Sequence, residues 1–110
     1  METEGGVYIS IPISGRPADR VREHAELVKA RLSREGWRRV VSPLDIYAGK
    51  DPRYADYIAA DIRALMDCDA IFMCRGWQQS CGCNIEHAAA RALIRFGKGL
   101  QRIIYETNDQ

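Results

Sequence analysis

The stretch DAIFMCRGWQQSCGCNIEHAAARA, residues 69–92, has the pattern of one strand, one loop and one helix in succession. Its beginning is a short apolar run typical of a buried strand, its middle is a polar loop with two glycines, and its end is alanine-rich. We predict a strand over 69–75 and a helix over about 83–97. A buried strand that passes through a short loop into a helix is the repeating unit of a parallel sheet covered by helices.

The same alternation runs through the rest of the chain. Further strands are predicted over 7–13, 38–43 and 101–106, and further helices up to about Glu35 and near 54–67. One α/β domain over residues 1–110 follows, a flavodoxin/Rossmann-like three-layer sandwich with helices on both faces of a short parallel sheet. We expect the strand order 2-1-3-4, which places the ligand crevice at the carboxyl ends of strands 1 and 3.

Composition narrows the class of protein. The chain has 110 residues, 46% of them hydrophobic and 28% charged, which is typical of a globular protein and not of a disordered one. The net charge of +1 argues against a nucleic-acid-binding surface but leaves room for a local anion site. No apolar run reaches membrane length and the acidic start METEGG is no signal peptide, so we expect a cytoplasmic protein without a membrane partner.

Two carboxylates interrupt apolar helical stripes. Glu86 aligns with Ala89, Ala90 and Leu93, so it borders the apolar face, and the expected first turn would favour its negative charge by about 0.3–1 kcal/mol. The alternative is a glutamate that faces solvent. Asp61 lies in the stripe of the second helix, where a charge requires a partner such as Arg63 or a function; the sequence leaves both possibilities open.

The two loops at the expected crevice have the residues of an anion or hydroxyl cradle. Ser80 can cap the following helix, and Gly82 lets backbone amides approach a ligand. Ser14–Arg16 would form the opposite wall. The aromatic rings of Tyr8 and Trp77 could face a ring-shaped ligand, or else pack in the core.

The four cysteines do not indicate a metal. The spacing C-x6-C-x-C-x3-H of Cys74, Cys81, Cys83 and His87 matches no common zinc pattern, and C-x-x-C is absent. In a cytosolic protein we expect reduced thiols that act as small packing residues. We therefore expect no metal site.

The order of motifs resembles a known family. A first strand ends YISIPISG, a D-I-x-x-L helix precedes D-A-I, and G-W-x-x-S-x-G-x-x-x-E-x-x-x-A opens the next helix. This pattern is similar to the nucleoside 2-deoxyribosyltransferase superfamily, in particular its short bacterial and phage branch, and to the deoxynucleoside monophosphate N-glycosidases. The resemblance runs from about Val7 to Ile104. That family usually has glycine where this chain has Ile11, a difference that we expect to narrow the pocket.

The resemblance implies roles for individual residues. Glu86 would attack the anomeric carbon of the sugar, Asp61 would assist, and Tyr8 would lie near the nucleophile. Ser80 would help to hold a 5′-phosphate, with Ser14–Arg16 bordering sugar and phosphate. It also implies an enzyme without metal or organic cofactor that binds a nucleoside or nucleotide and forms a homodimer or higher homo-oligomer.

The implied chemistry is cleavage or exchange of an N-glycosidic bond through a covalent glycosyl-glutamate. Water as the second reactant would make the protein a hydrolase, and a second base would make it a transferase; the sequence leaves both open. The main alternative is a non-catalytic module of the same fold that binds a nucleotide or nucleotide-sugar. A third possibility is a purely structural oligomer with Trp37 and Trp77 at its interfaces.

Overall fold

A computed structural model describes residues 3–107, with side chains from residue 5 onward. The first two residues of the acidic start and the last three residues of the chain lie outside the described part. In chain order the elements are β1 (Thr3–Ser10), α1 (Ala18–Arg34), β2 (Trp37–Val41), a 3-10 turn (Pro43–Asp45), α2 (Tyr54–Met66), β3 (Ala70–Met73), a second 3-10 turn (Trp77–Gln79), α3 (Cys81–Arg95) and β4 (Arg102–Tyr105).

The strands form one parallel sheet in the order β2-β1-β3-β4, which confirms the predicted strand order. In register, Tyr8 of β1 lies opposite Val41 of β2 and Ile71 of β3. Because the first crossover leads from β1 to β2 and the next returns past β1 to β3, the winding direction reverses between β1 and β3. The loops after these two strands therefore flank the crevice expected for ligands.

Helices cover both faces of the sheet, as predicted. On one face, α1 packs Val21, Ala25, Val28 and Leu32 against β1 and β3. On the other face, α2 and α3 pack against the alternate side chains of the same strands, among them Tyr8, Ile71 and Met73. Side chains of a strand alternate between faces, so one strand serves both core layers.

Several predicted boundaries differ from the structure, and three of the differences have a clear physical reason. β1 ends at Ser10 instead of continuing to residue 13, since Pro12 has no amide hydrogen for the sheet. β2 likewise ends at Val41, two residues before Pro43. α3 begins at Cys81 instead of residue 83, because the Ser80 hydroxyl accepts a hydrogen bond from the amide of Cys83 and starts the helix earlier.

No helix within residues 3–107 is long and apolar enough to cross a membrane.

Candidate active site

Glu86 is buried under two hydroxyl groups. It lies on α3, its exposed fraction is 4%, and its two carboxylate oxygens have separate donors. The Ser10 hydroxyl donates to Oε1 at 2.7 Å, and the Tyr8 hydroxyl donates to Oε2 at 2.9 Å. Tyr8 and Ser10 are two positions apart on β1, so both side chains leave the strand on the same face. One strand thus supplies both donors, and the prediction that Tyr8 lies near Glu86 is confirmed.

The surroundings of Glu86 offset part of the cost of burying its charge, and no cation takes part. Burial raises the pKa of the Glu86 carboxyl, and hydrogen bonds from Ser10, Tyr8 and Asp61 counteract this rise without cancelling it. Burial, with the Glu86 charge as second cause, also raises the pKa of the Tyr8 hydroxyl, which therefore stays protonated as a donor. No ion pair is found between Glu86 and a basic side chain of the described residues.

The expected stabilisation of Glu86 by the helix N-terminus is a prediction that the structure corrects. Since α3 begins at Cys81, Glu86 lies in the second turn and not in the first. The helix-terminus effect falls off within one turn, so the hydroxyls of Ser10 and Tyr8 are the main support of the carboxylate.

Asp61 is the second acidic group of the site and differs from Glu86 in its protonation. It projects from α2, and the pKa of its carboxyl is raised to about 7 by burial first and by the Glu86 charge and hydrogen bond second. Its partners are Glu86 and Tyr8, not the basic Arg63 that the sequence offered as an alternative. Asp61 therefore keeps its proton up to about pH 7, beside the carboxyl of Glu86.

A cavity of about 510 Å³ opens over the two carboxylates. This volume lies in the range of small-molecule sites. The bulky Ile11 lines it at the position where the resembling family has glycine. Most of the wall is apolar or aromatic, with a few convergent polar groups: Ile11, Ile13, Ser14, Pro43, Leu44, Ile46, Tyr54, Tyr57, Ile58, Asp61, Ser80, Gly82, Cys83 and Glu86.

A second cavity of about 560 Å³ adjoins the first. Four residues line both cavities, so the two form neighbouring compartments: Ser14, Tyr54, Ser80 and Gly82. The second compartment is also lined by two basic residues, Arg16 and Arg75, beside the beginning of α3. Of the expected cradle, Ser14, Arg16, Ser80 and Gly82 thus come together, and the compartment is suited to an anion.

Two predicted site residues lie elsewhere. The Trp77 ring stacks on His87, with ring centroids 4.4 Å apart, and lies near Tyr105, so it lines neither cavity. Its packing role, which the sequence left as the alternative, is the one observed. Gly15 forms the turn after β1 with φ of 79° and also lines neither cavity, although Ser14 and Arg16 on either side of it do.

The comparison with protein-family models gives one match. Residues 6–96 match the model described as "Domain of unknown function (DUF4406)", which is most of the chain. The chain belongs to the DUF4406 family. No curated protein matches it. In this DUF4406 chain the matched range includes Tyr8, Ser10, Asp61 and Glu86 but ends before β4.

Sequence reasoning missed three residues of the DUF4406 site. Ser10 had a weak signal, as the single polar residue of the run VYISI, but a small hydroxyl in a strand is common in protein cores. Arg75 follows β3 directly and Tyr54 begins α2, and in sequence both look like ordinary surface residues. Tyr54 separates the two compartments, and the pKa of its hydroxyl is raised to about 12, first by a hydrogen bond with Cys81 and next by burial.

The four cysteines are free thiols that differ in burial. Cys68, Cys74 and Cys83 are buried, and Cys81 is exposed at the second cavity. His87, which the sequence placed in a hypothetical cluster with three of them, instead shares a 2.8 Å hydrogen bond with Tyr105. A different group could hold a metal ion among the described residues: ligand atoms of His24, Cys74 and Glu106 lie within 4.8 Å of one another.

Proposed function

We propose that this protein cleaves the N-glycosidic bond of a nucleoside or nucleoside monophosphate through a covalent glycosyl-Glu86 intermediate. One observation carries the proposal: a buried carboxyl with two hydroxyl donors and a second carboxyl with a pKa of about 7 share one cavity. Pairs of acidic groups with different protonation are what retaining glycosyl transfer requires. The relationship to nucleoside 2-deoxyribosyltransferases, based on the motifs that end in Glu86, belongs to this proposal.

In the first step, a Glu86 oxygen attacks the anomeric carbon while the bond from that carbon to the base nitrogen breaks. The bonding electrons leave with the base, and Asp61 donates its proton to a ring nitrogen. The Ser10 and Tyr8 hydroxyls orient the attacking carboxylate. The apolar wall of the cavity keeps water from the charge that develops on the sugar.

In the second step, Asp61, now a carboxylate, accepts a proton from the incoming nucleophile. Water yields the free sugar, and a second base yields a new nucleoside; either way Glu86 is released as a carboxylate and Asp61 regains its proton. Both steps use side chains of this chain alone, so the proposed mechanism has no metal or organic cofactor.

The second compartment favours a monophosphate as the substrate. Arg16, Arg75 and the beginning of α3 line it and carry N–H groups that an anion could bind, and four residues connect it to the compartment of the carboxylates. A charge-assisted hydrogen bond contributes about 1.5–3 kcal/mol, so Arg16→Ala should weaken monophosphate binding about ten-fold or more. Equal losses for nucleoside and monophosphate would show that Arg16 does not contact phosphate.

The experiment that tests the proposal measures free-base release from 2-deoxynucleosides and their 5′-monophosphates by chromatography. Glu86→Gln should lose release by several orders of magnitude and still bind substrate, because the amide keeps size and lacks the nucleophilic charge. Glu26→Gln is the matched control, since Glu26 is exposed on α1 and forms only a surface ion pair with Lys29. A 2-deoxy-2-fluoro analogue should label the peptide that contains Glu86, which mass spectrometry detects.

Two results would count against the assignment: full release by Glu86→Gln, or an adduct on another residue. Nucleotide binding by the wild type without any base release would favour the alternative, a non-catalytic nucleotide-binding module.

We also propose that the protein forms a homodimer or higher homo-oligomer through the surface beside the first cavity. Large apolar or aromatic side chains are exposed at its mouth, namely Ile13, Tyr54 and Tyr57. A second copy that covered them would bury apolar area and close the cavity. Light scattering at micromolar concentration should give at least twice the mass of one chain, and a monomeric mass would contradict the proposal.

A further inference from the structure

A partly buried carboxylate outside the site connects both arginines of the second cavity. Glu106 directly follows β4, and the exposed fraction of its side chain is 11%. Its Oε1 accepts the backbone N–H of Arg75 at 2.8 Å and lies 2.9 Å from Nε2 of His24. Its Oε2 lies 3.5 Å from Nη1 of Arg75. One carboxylate therefore holds the main chain and the side chain of Arg75 together.

The connection continues through His24 to Arg16. Nδ1 of His24 lies 3.5 Å from Nη2 of Arg16, and a guanidinium group can only donate. Nδ1 is therefore the acceptor, which leaves the proton on Nε2, directed to Glu106. Nη1 of Arg16 donates to the carbonyl of Pro12 at 2.8 Å, so two contacts fix that guanidinium.

We propose that Glu106 is a positioning residue, which holds Arg16 and Arg75 at the spacing that receives one phosphate group in the second cavity. The identity of the ligand as a nucleoside monophosphate rests on the proposed function; the positioning role needs only an anion. Glu106 does not line the cavity, so it acts through the two arginines.

Charge balance explains why a carboxylate occupies this position. Two arginines that line one cavity bring two positive charges near each other, and the negative charge of Glu106 offsets half of that charge. A net positive charge remains beside the cavity. Burial by itself would raise the pKa of Glu106, but the Arg75 amide and the His24 ring outweigh it and lower that pKa, so Glu106 stays ionised.

A metal site is the competing interpretation of the same residues. The Cys74 sulfur lies close to His24 and Glu106, a donor set that suits a soft divalent ion. However, Oε1 of Glu106 is already engaged by two nitrogen atoms, and a divalent cation would add to the charge of two nearby guanidinium groups. The positive charge that a metal would supply is already present, so the positioning role fits the contacts better.

The test compares Glu106→Gln with wild type for binding of inorganic phosphate and of paired 2-deoxynucleosides and 5′-monophosphates, by calorimetry. Glutamine can keep an oxygen at Oε1, but it places an amide N–H₂ group opposite the Arg75 guanidinium. We expect monophosphate and phosphate to bind about ten-fold more weakly or worse, and the nucleoside to bind as before. Glu35→Gln is the matched control, because it removes a carboxylate that forms an exposed ion pair with Arg31. It should leave the binding of all three ligands unchanged.

A second variant keeps the test decisive if Glu106→Gln does not fold. Arg75 has a half-exposed side chain, so Arg75→Gln keeps the backbone N–H bond to Glu106 and should fold. It should also weaken phosphate binding selectively. Where Glu106→Gln does fold, its effect in the Arg75→Gln background should be smaller than in wild type, because one of the two groups that Glu106 positions is gone.

The failures of the two proposals are distinguishable. If phosphate binding depends on Glu106 but no base is released, the positioning role is supported and the proposed cleavage of the N-glycosidic bond is refuted. Base release with equal losses for nucleoside and monophosphate in Glu106→Gln would refute the positioning role alone. The positioning role is also overturned if wild type binds neither phosphate nor monophosphate, or if purified protein has stoichiometric zinc that Glu106→Gln loses.

Discussion

Glu86→Gln should stabilise the fold while it abolishes the proposed reaction. The wild-type side chain is almost fully buried, has no cationic partner in the described structure, and relies on two hydroxyl donors. Glutamine has the same shape. Its oxygen can accept from Ser10, its amide group can donate to Asp61, and Tyr8 can turn its hydroxyl to accept. The substitution therefore removes a buried charge without leaving a polar atom unpaired.

The magnitude follows from two opposing contributions. Burying an ionised carboxylate costs several kcal/mol after relaxation. The two hydrogen bonds contribute about 1.5–3 kcal/mol each to a charged acceptor and about 0.5–1.5 to a neutral one, so about 2–3 kcal/mol of bonding is lost in the variant. The difference leaves a gain on the order of 1–3 kcal/mol in the free energy of unfolding, or a rise in Tm of about 4 °C or more per kcal/mol.

The gain should depend on pH. The folded protein raises the pKa of Glu86 above its ordinary 4.5, so folded protein binds more protons than unfolded protein above that pH. Wild-type stability is thus lost as the pH rises, and the advantage of Glu86→Gln should be largest near pH 8 and shrink toward pH 4. The raised pKa of Asp61 likewise makes the wild-type fold less stable as the pH rises from about 3.8 to about 7.

Urea unfolding at pH 4, 6 and 8, followed by circular dichroism, measures this directly. The exposed control Glu26→Gln should stay within about 0.5 kcal/mol of wild type at each pH. A natively folded Glu86→Gln that is less stable than wild type at pH 8 would refute the reasoning, because the buried charge would then be a net contributor to stability.

Three further predictions concern other residues of the site. Base release should fall as the pH rises through about 7, where Asp61 loses its proton, and Asp61→Asn should lower the rate and flatten this limb of the profile; an unchanged limb would assign the proton to another group. Ser10→Ala removes the 2.7 Å bond to Glu86 and should lower kcat about ten-fold or more with little change in KM, measured with saturating substrate; a rise in KM alone would indicate a binding role. Iodoacetamide should label Cys81 in the folded protein and leave Cys83 unlabelled, as judged by peptide mass spectrometry, because only the first is exposed; labelling of Cys83 under native conditions would contradict its burial.

The sequence predicts the fold well because its signals are local and repeated. Short apolar runs alternate with helical stripes, and right-handed crossovers leave few ways to order four parallel strands. The same periodicity marks Glu86 and Asp61 as charges on buried helix faces. Both helices pack on one face of the sheet, so the two carboxylates meet although 25 positions separate them in the chain.

The remaining site residues depend on tertiary contacts that periodicity does not show. Ser10 belongs to the site because its hydroxyl donates to Glu86 of α3. Arg75 belongs to it because the loop after β3 lines the second cavity together with the loop after β1. Trp77 illustrates the opposite error. Gly76 in a left-handed conformation and the following 3-10 turn direct the Trp77 ring to His87, away from both cavities. A loop sequence gives no direction for such a side chain.

Three elements, β1, α2 and α3, each supply a different part of the site. β1 donates two hydrogen bonds to Glu86 through Tyr8 and Ser10, and α2 supplies Asp61 without a comparable set of donors. Two similar carboxyls in one cavity therefore have different surroundings: hydroxyl donors oppose the rise in the pKa of Glu86, whereas the pKa of Asp61 is raised to about 7. If Ser10 and Tyr8 set this difference, then removal of both should move the proton from Asp61 toward Glu86. The rate of base release in a double Tyr8→Phe, Ser10→Ala variant should therefore fall by more than the combined effects of the two single variants. The reason is that the nucleophile itself would become protonated.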